Sequence, residues 1–122
     1  MFTKNATVML YVEDIQAEFD FWKAASFEIL SKETIMDYDT FDMKPHADST
    51  LTFKVYDKAF IKQMSPEVAD FQPSVLFETQ DITKLHERIS GLTDDISPIT
   101  SAPFVSFNFA SPSGIYFAIK EK

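Results

Sequence analysis

Glu78 stands in SVLFETQ (74 to 80), an otherwise apolar run that reads as a strand. A carboxylate in such a setting needs a cationic partner, a ligand or a raised pKa, because desolvation opposes its charge. Lys54 or Lys120 would supply the partner. With an electrophilic or oxyanion-stabilising group beside it, such as Tyr11, Tyr116 or a lysine, the same carboxylate could serve as a general base. Nothing in the spacing requires that role, so Glu78 is a catalytic candidate and no more. His46 lies in the loop KPHAD with Asp42 and Asp48 nearby. That grouping reads either as a weak metal site or as a solvated loop histidine. His86 sits mid-helix beside Glu87 and Arg88 and reads as an ordinary surface or partly buried side chain. The chain has no cysteine, which removes disulfides, thiolate nucleophiles and Cys-ligated metals. No Ser-His or Cys-His nucleophile has a candidate. ETIMDYDTFDM (33 to 43) interleaves Glu33, Asp37, Asp39 and Asp42 with Tyr38 and Phe41. It suits either the grip of a planar cation or an edge strand guarded by charge.

Composition narrows the partners. Nineteen acidic residues against eleven basic ones give a net charge of -8 over 122 residues. This disfavours nucleic acid and anionic membranes, leaves cationic or neutral ligands open, and also serves plain solubility. Thirteen Phe, four Tyr and one Trp predict an aromatic core, an aromatic-lined cavity, or both. Gly91 and Gly114 stand alone, so there is no phosphate-binding glycine loop. No window approaches the roughly 18 apolar residues of a membrane span, and MFTKNATVML lacks a signal-peptide pattern. The expectation is a soluble, cytoplasmic protein.

These residues need elements to hold them. ATVMLYVE (6 to 13) predicts a strand, and Asp14 a helix N-cap. Ile15, Phe19 and Trp22 form an i, i+4, i+7 stripe on a helix over 15 to 25. FEILSKE (27 to 33), IMDYDTFDM (35 to 43) and TLTFKVYD (50 to 57) predict strands. Residues 58 to 72 lack a clear period and carry a Ser-Pro break, which predicts a connection that includes a helical turn. The pattern then repeats. SVLFETQ is followed by Asp81 as N-cap, by a helix with Ile82, Leu85 and Ile89 on one face, and by Gly91 as its stop. APFVSFNFA (102 to 110), the turn SPSG and IYFAIKE (115 to 121) close the chain. At an offset of 67, Val8 matches Val75, Asp14 matches Asp81, Ile15 matches Ile82 and Ile29 matches Ile96. The expected fold is α+β: two βαβββ modules, about 1 to 60 and about 72 to 122, joined by a connection over about 58 to 72 within one domain of residues 1 to 122.

TVMLYVEDIQAEFDFW, with its acidic turn and the aromatic pair Phe21 and Trp22, resembles the opening of the vicinal oxygen chelate superfamily. That superfamily comprises glyoxalase I, the bleomycin resistance proteins and the extradiol dioxygenases. SVLFETQDITKLHERI resembles the start of its second module, and FNFASPSGIYFAI its closing turn and strand. The resemblance implies curved sheets enclosing a cup, usually within a homodimer, and a divalent metal held by His and Glu at four strand positions. Here those positions fall on Thr7, Thr52, Ser74 and Ala118, and a slip of one residue offers Ala6, Leu51, Pro73 or Phe117. None is an imidazole or carboxylate donor, so the family's metal chemistry and its cofactor are expected to be missing.

Strand alternation gives the rest of the cup: Met9, Tyr11, Lys54, Leu76, Glu78, Tyr116 and Lys120 share the faces of those four positions, while Leu51, Phe53 and Val55 turn to the core. The resulting expectation is a metal-free binder of a small molecule, cationic or aromatic, in the manner of the drug-sequestering resistance proteins. Two alternatives stand beside it: an enzyme built on Glu78 or on an unorthodox metal site, and a structural or regulatory dimer with a vestigial cup.

Overall fold

The computed structural model describes all residues from Met1 to Lys122. They divide into two compact units, Met1–Pro73 and Ser74–Lys122. The first contains β1 (Ala6–Val12), α1 (Ile15–Ala24), β2 (Glu28–Ile35), β3 (Tyr38–Lys44), β4 (Leu51–Asp57) and α2 (Lys58–Met64), then a 3-10 turn at Pro66–Val68. The second contains β5 (Leu76–Thr79), α3 (Ile82–Ser90), β6 (Ser106–Ala110) and β7 (Tyr116–Glu121).

The two units begin alike. The Asp14 carboxylate accepts from the Ala17 N–H at 3.0 Å and the Asp81 carboxylate from the Lys84 N–H at 3.1 Å, so each helix starts on a side-chain cap. In the first unit the sheet order is β1-β4-β3-β2, with β1 parallel to β4. The second repeats it as β5-β7-β6, with β5 parallel to β7. A fourth strand is expected beside β6, but the chain between α3 and β6 makes only the bridges Ile96 to Phe109 and Thr100 to Ser106. Pro98 and Pro103 explain the loss, since each removes an N–H that a ladder would need. Ile96 nonetheless keeps the place of its repeat partner Ile29, which pairs with Met43 in β3.

Burial follows the pleat. Leu10, Val12, Phe41, Met43, Phe53 and Val55 form the core under α1, and Phe107, Phe109, Phe117 and Ile119 form the core under α3 with Ile82 and Ile89. Leu51 departs from expectation: placed in the core by alternation, it is 38% exposed at the open end of β4. The buried face of α1 also differs from the Ile15, Phe19, Trp22 stripe. It runs through Glu18, Phe21 and Trp22, with Ile15 and Phe19 only half-buried. Glu18 is fully buried, and the Trp22 indole N–H donates to its Oε1 at 3.1 Å.

Two further corrections concern boundaries. The strand expected over 35 to 43 begins at Tyr38, because Ile35 pairs with Tyr38 and leaves Met36 and Asp37 as a two-residue turn with φ of 49° and 69°. Both residues therefore adopt the left-handed conformation of a primed hairpin turn. Asp37→Gly should stabilise the protein by about 0.5–1 kcal/mol through relief of that strain, read as a higher midpoint in urea at unchanged slope. An unchanged or lower midpoint would mean that the turn is not strained. The connection over 58 to 72 holds a whole helix, α2, capped by Asp57 accepting from the Ala59 N–H at 2.9 Å. Lys58 fastens its start, with Nζ at 2.9 Å from Asp70 Oδ1 and 3.4 Å from Glu13 Oε1. Its hydrogen bond holds the Asp70 carboxyl below the usual carboxylate range. No helix is long and apolar enough to cross a membrane.

Candidate functional site

On the first unit, the sheet face opposite α1 carries the expected residues in two groups. Thr7 stands beside Thr52 in the parallel ladder, and their hydroxyl oxygens lie 3.0 Å apart. Two hydroxyls satisfying each other leave no strong metal donor at either position. Next along the ladder, Lys54 approaches Asp42 Oδ1 at 3.4 Å, while Asp42 Oδ2 accepts from the Ser31 hydroxyl at 3.0 Å. Tyr11, Tyr56, Phe60 and Tyr38 then form an aromatic row, with ring centroids 6.3, 6.0 and 5.8 Å apart in turn. Met9, the ladder partner of Lys54, is half exposed. Asp42 is thus taken by Ser31 and Lys54. The grouping of His46 with Asp42 and Asp48 is accordingly not assembled: His46 Nδ1 accepts from the Asp48 N–H at 3.0 Å in an exposed turn. No three His, Asp or Glu side chains converge into a metal-binding set anywhere in the chain.

The second unit holds an open pocket of about 500 Å³. Three residues expected from the sequence line it: Ser74, Tyr116 and Ala118. Six others join them, namely Val75, Asp95, Ile96, Ser97, Asn108 and Phe117. Its shortest hydrogen bond is that of the Tyr116 hydroxyl, which donates to Asp95 Oδ2 at 2.6 Å. Donation to that carboxylate, and then its charge, raise the Tyr116 phenol above the ordinary tyrosine value. A raised folded pKa stabilises below the unfolded value and is lost as pH rises through the folded one. Ultraviolet titration near 295 nm should therefore show one phenol of the wild type ionising at a higher pH than it does in Asp95→Asn. Identical titration curves for the two proteins would rule the bond out.

Glu78 and Leu76 lie further along β5, both exposed. Glu78 stands opposite Lys120 in the ladder with no ion pair between them, and Lys54 is engaged by Asp42. The buried carboxylate anticipated from its apolar run is thus a solvated one, because a strand in an open sheet leaves alternate side chains in water. The ladders also settle which positions repeat. Thr52 is the neighbour of Thr7, whereas Ala118 is the neighbour of Leu76, which repeats Met9; the counterpart of Ala118 in the first unit is therefore Lys54. A lysine is a still poorer place for a metal ion than a threonine.

Asp95, Ser97 and Asn108 escaped the sequence reading. The signal for Asn108 was present, since it alternates with Phe107 and Phe109, which the core claims. Asp95 lies in a polar stretch with no period and could be placed only by its bridge-forming neighbour Ile96.

Comparison with known proteins gives the fold. No family model matches the sequence, and no curated protein matches it. Solved structures do match throughout. TnmS3, described as an antibiotic binding protein from Streptomyces sp. CB03234, is 15% identical with a TM-score of 0.78 over 98% of this chain and 96% of that one. A member of the glyoxalase/bleomycin resistance protein/dioxygenase superfamily from Sphaerobacter thermophilus is 14% identical with a TM-score of 0.76, covering 99% and 98%. The fosfomycin resistance protein FosX from Listeria monocytogenes is 13% identical with a TM-score of 0.72, covering 98% and 94%. The chain has the glyoxalase/bleomycin resistance/dioxygenase fold, as its opening and closing stretches implied.

Proposed function

We propose that the protein binds a small organic molecule, cationic or aromatic, without a metal ion, in the manner of the drug-sequestering members of this fold. The pocket of the second unit carries the reading. It is open, it is lined by an aromatic ring, apolar side chains and a few placed polar groups, and it contains no set of metal donors. The description of TnmS3 as antibiotic binding supports the same use of the fold. An enzyme built on Glu78 is less well supported, because that carboxylate is exposed and no electrophilic group is bonded to it. The reading includes a cytoplasmic homodimer in which residues 1 to 122 work as one domain. Sedimentation velocity tests the dimer, and a monomer at micromolar concentration would remove it.

Binding itself is tested by a thermal-shift screen in chelator, with cationic glycopeptides and aromatic metabolites. A ligand selective for the native state at ~100 times its Kd adds about 2.7 kcal/mol of stability. At least one of these classes should raise the melting temperature by several degrees. Silence from every class would end the reading.

A further inference from the structure

We propose that Asp95 and Tyr116 select the ligand of the second unit's pocket, and that the ligand is an organic ammonium on an apolar or aromatic body. The inference rests on the small-molecule-binding reading above and narrows it to a ligand class.

The hydrogen-bond inventory of the pocket decides the class. Tyr116 spends its only proton on Asp95 Oδ2 at 2.6 Å, so toward a ligand its oxygen is an acceptor. Asp95 Oδ1 has no partner. The Ser97 hydroxyl donates to the Pro98 carbonyl at 3.1 Å and accepts from the Asn108 N–H at 2.9 Å, which occupies it. Only Ser74 and the Asn108 amide retain side-chain donors, and no Lys, Arg or His lines the pocket. The balance is acceptor-rich with a single negative charge. An ammonium group brings the missing donors and the opposite charge, whereas a carboxylate or phosphonate would meet like charge and few donors.

Asp95 is also held in place before any ligand arrives. Its N–H donates to the Thr93 hydroxyl at 3.1 Å, and its carbonyl accepts from the Ala110 N–H at 2.9 Å. Beyond it, the Ser97 N–H donates to the Asn108 carbonyl at 2.8 Å, and the Ser97 carbonyl lies 2.9 Å from His86 Nε2. With the backbone pinned on both sides and one oxygen fixed by Tyr116, the second oxygen is presented in one orientation. Ordering that is already complete in the free protein is not charged against binding. Val75, Ile96 and Ala118 supply the apolar wall for the body of the ligand.

The test uses three probes of one shape: 2-naphthylmethylammonium, the neutral 2-naphthalenemethanol and the anionic 2-naphthoate. Each is titrated into the whole nitrogen-15-labelled protein, with amide shifts followed by NMR. The ammonium should move the amides of residues 95 to 97, 108 and 116 to 118 saturably and bind about tenfold tighter than the alcohol, as a charge-assisted hydrogen bond requires. The naphthoate should not saturate. Asp95→Asn, isosteric and at an exposed position, should bring the ammonium level with the alcohol. Tyr116→Phe, which keeps the charge but frees the carboxylate, should weaken the ammonium by roughly threefold. Added salt should erode the ammonium preference in the wild type only. Equal binding of ammonium and alcohol by the wild type, or a preference that survives Asp95→Asn, would overturn the assignment while leaving a binding pocket in place. If none of the probes moves these amides, the assignment also falls, whereas the broader reading falls only with the thermal screen.

Discussion

Phe117→Ala should cost about 3–5 kcal/mol of stability, the range for emptying a fully buried aromatic site. Phe117 is 2% exposed and lies between two other rings, stacked on Phe109 at 5.6 Å and Phe77 at 5.8 Å. It joins all three strands of the second unit from the core side. Its chain neighbours Tyr116 and Ala118 face the pocket, so a cavity behind the sheet should loosen the wall in front of it. Urea denaturation followed by circular dichroism gives the stability, and the same variant should lose the late-ionising tyrosine. A cost below about 1 kcal/mol would mean that this core does not close as described.

Trp22→Ala should have an effect of the same size in the first unit, about 3–5 kcal/mol. Trp22 is 1% exposed and packs edge-on against Phe21 at 5.1 Å and obliquely on Phe27 at 4.6 Å. Its indole N–H also donates to the buried Glu18, so alanine deletes packing and a donor to a buried carboxylate together. Trp22→Phe separates the two terms: it keeps most of the contact surface and should cost about 1–3 kcal/mol for the lost bond. If Trp22→Phe is neutral, Glu18 draws nothing essential from the indole.

The repeat is what made the fold readable. Asp14 and Asp81 cap their helices from positions 67 residues apart, and the alternation of β4 assigns its core residues Phe53 and Val55 from the sequence itself. Elsewhere the local pattern is weak. Lys58–Met64 is too short for a helical period to declare itself; it starts on the Asp57 cap, with Lys58 paired to Glu13 and Asp70. Met36 and Asp37 carry no glycine to announce a primed turn, and only the pairing of Ile35 with Tyr38 forces them into it.

The site divides the same way. Ser74 and Ala118 follow from the resemblance and Tyr116 from strand alternation, and all three line the pocket. Asp95 and Ser97 were not, because they reach the pocket from a segment whose prolines prevent it from forming a recognisable strand. The run around Glu78 misleads for a related reason: an apolar run in the sequence does not distinguish a strand covered on both faces from one with a face in solvent.

Recognition of a small molecule without a metal ion is the claim on which the rest depends. Its most direct test is the binding isotherm of a ligand found in the thermal screen, recorded on chelator-treated protein and again after one equivalent of Mn(II) or Zn(II). The account predicts saturable one-to-one binding in chelator and superimposable curves after metal is added. Binding that appears only once the metal is present would contradict it.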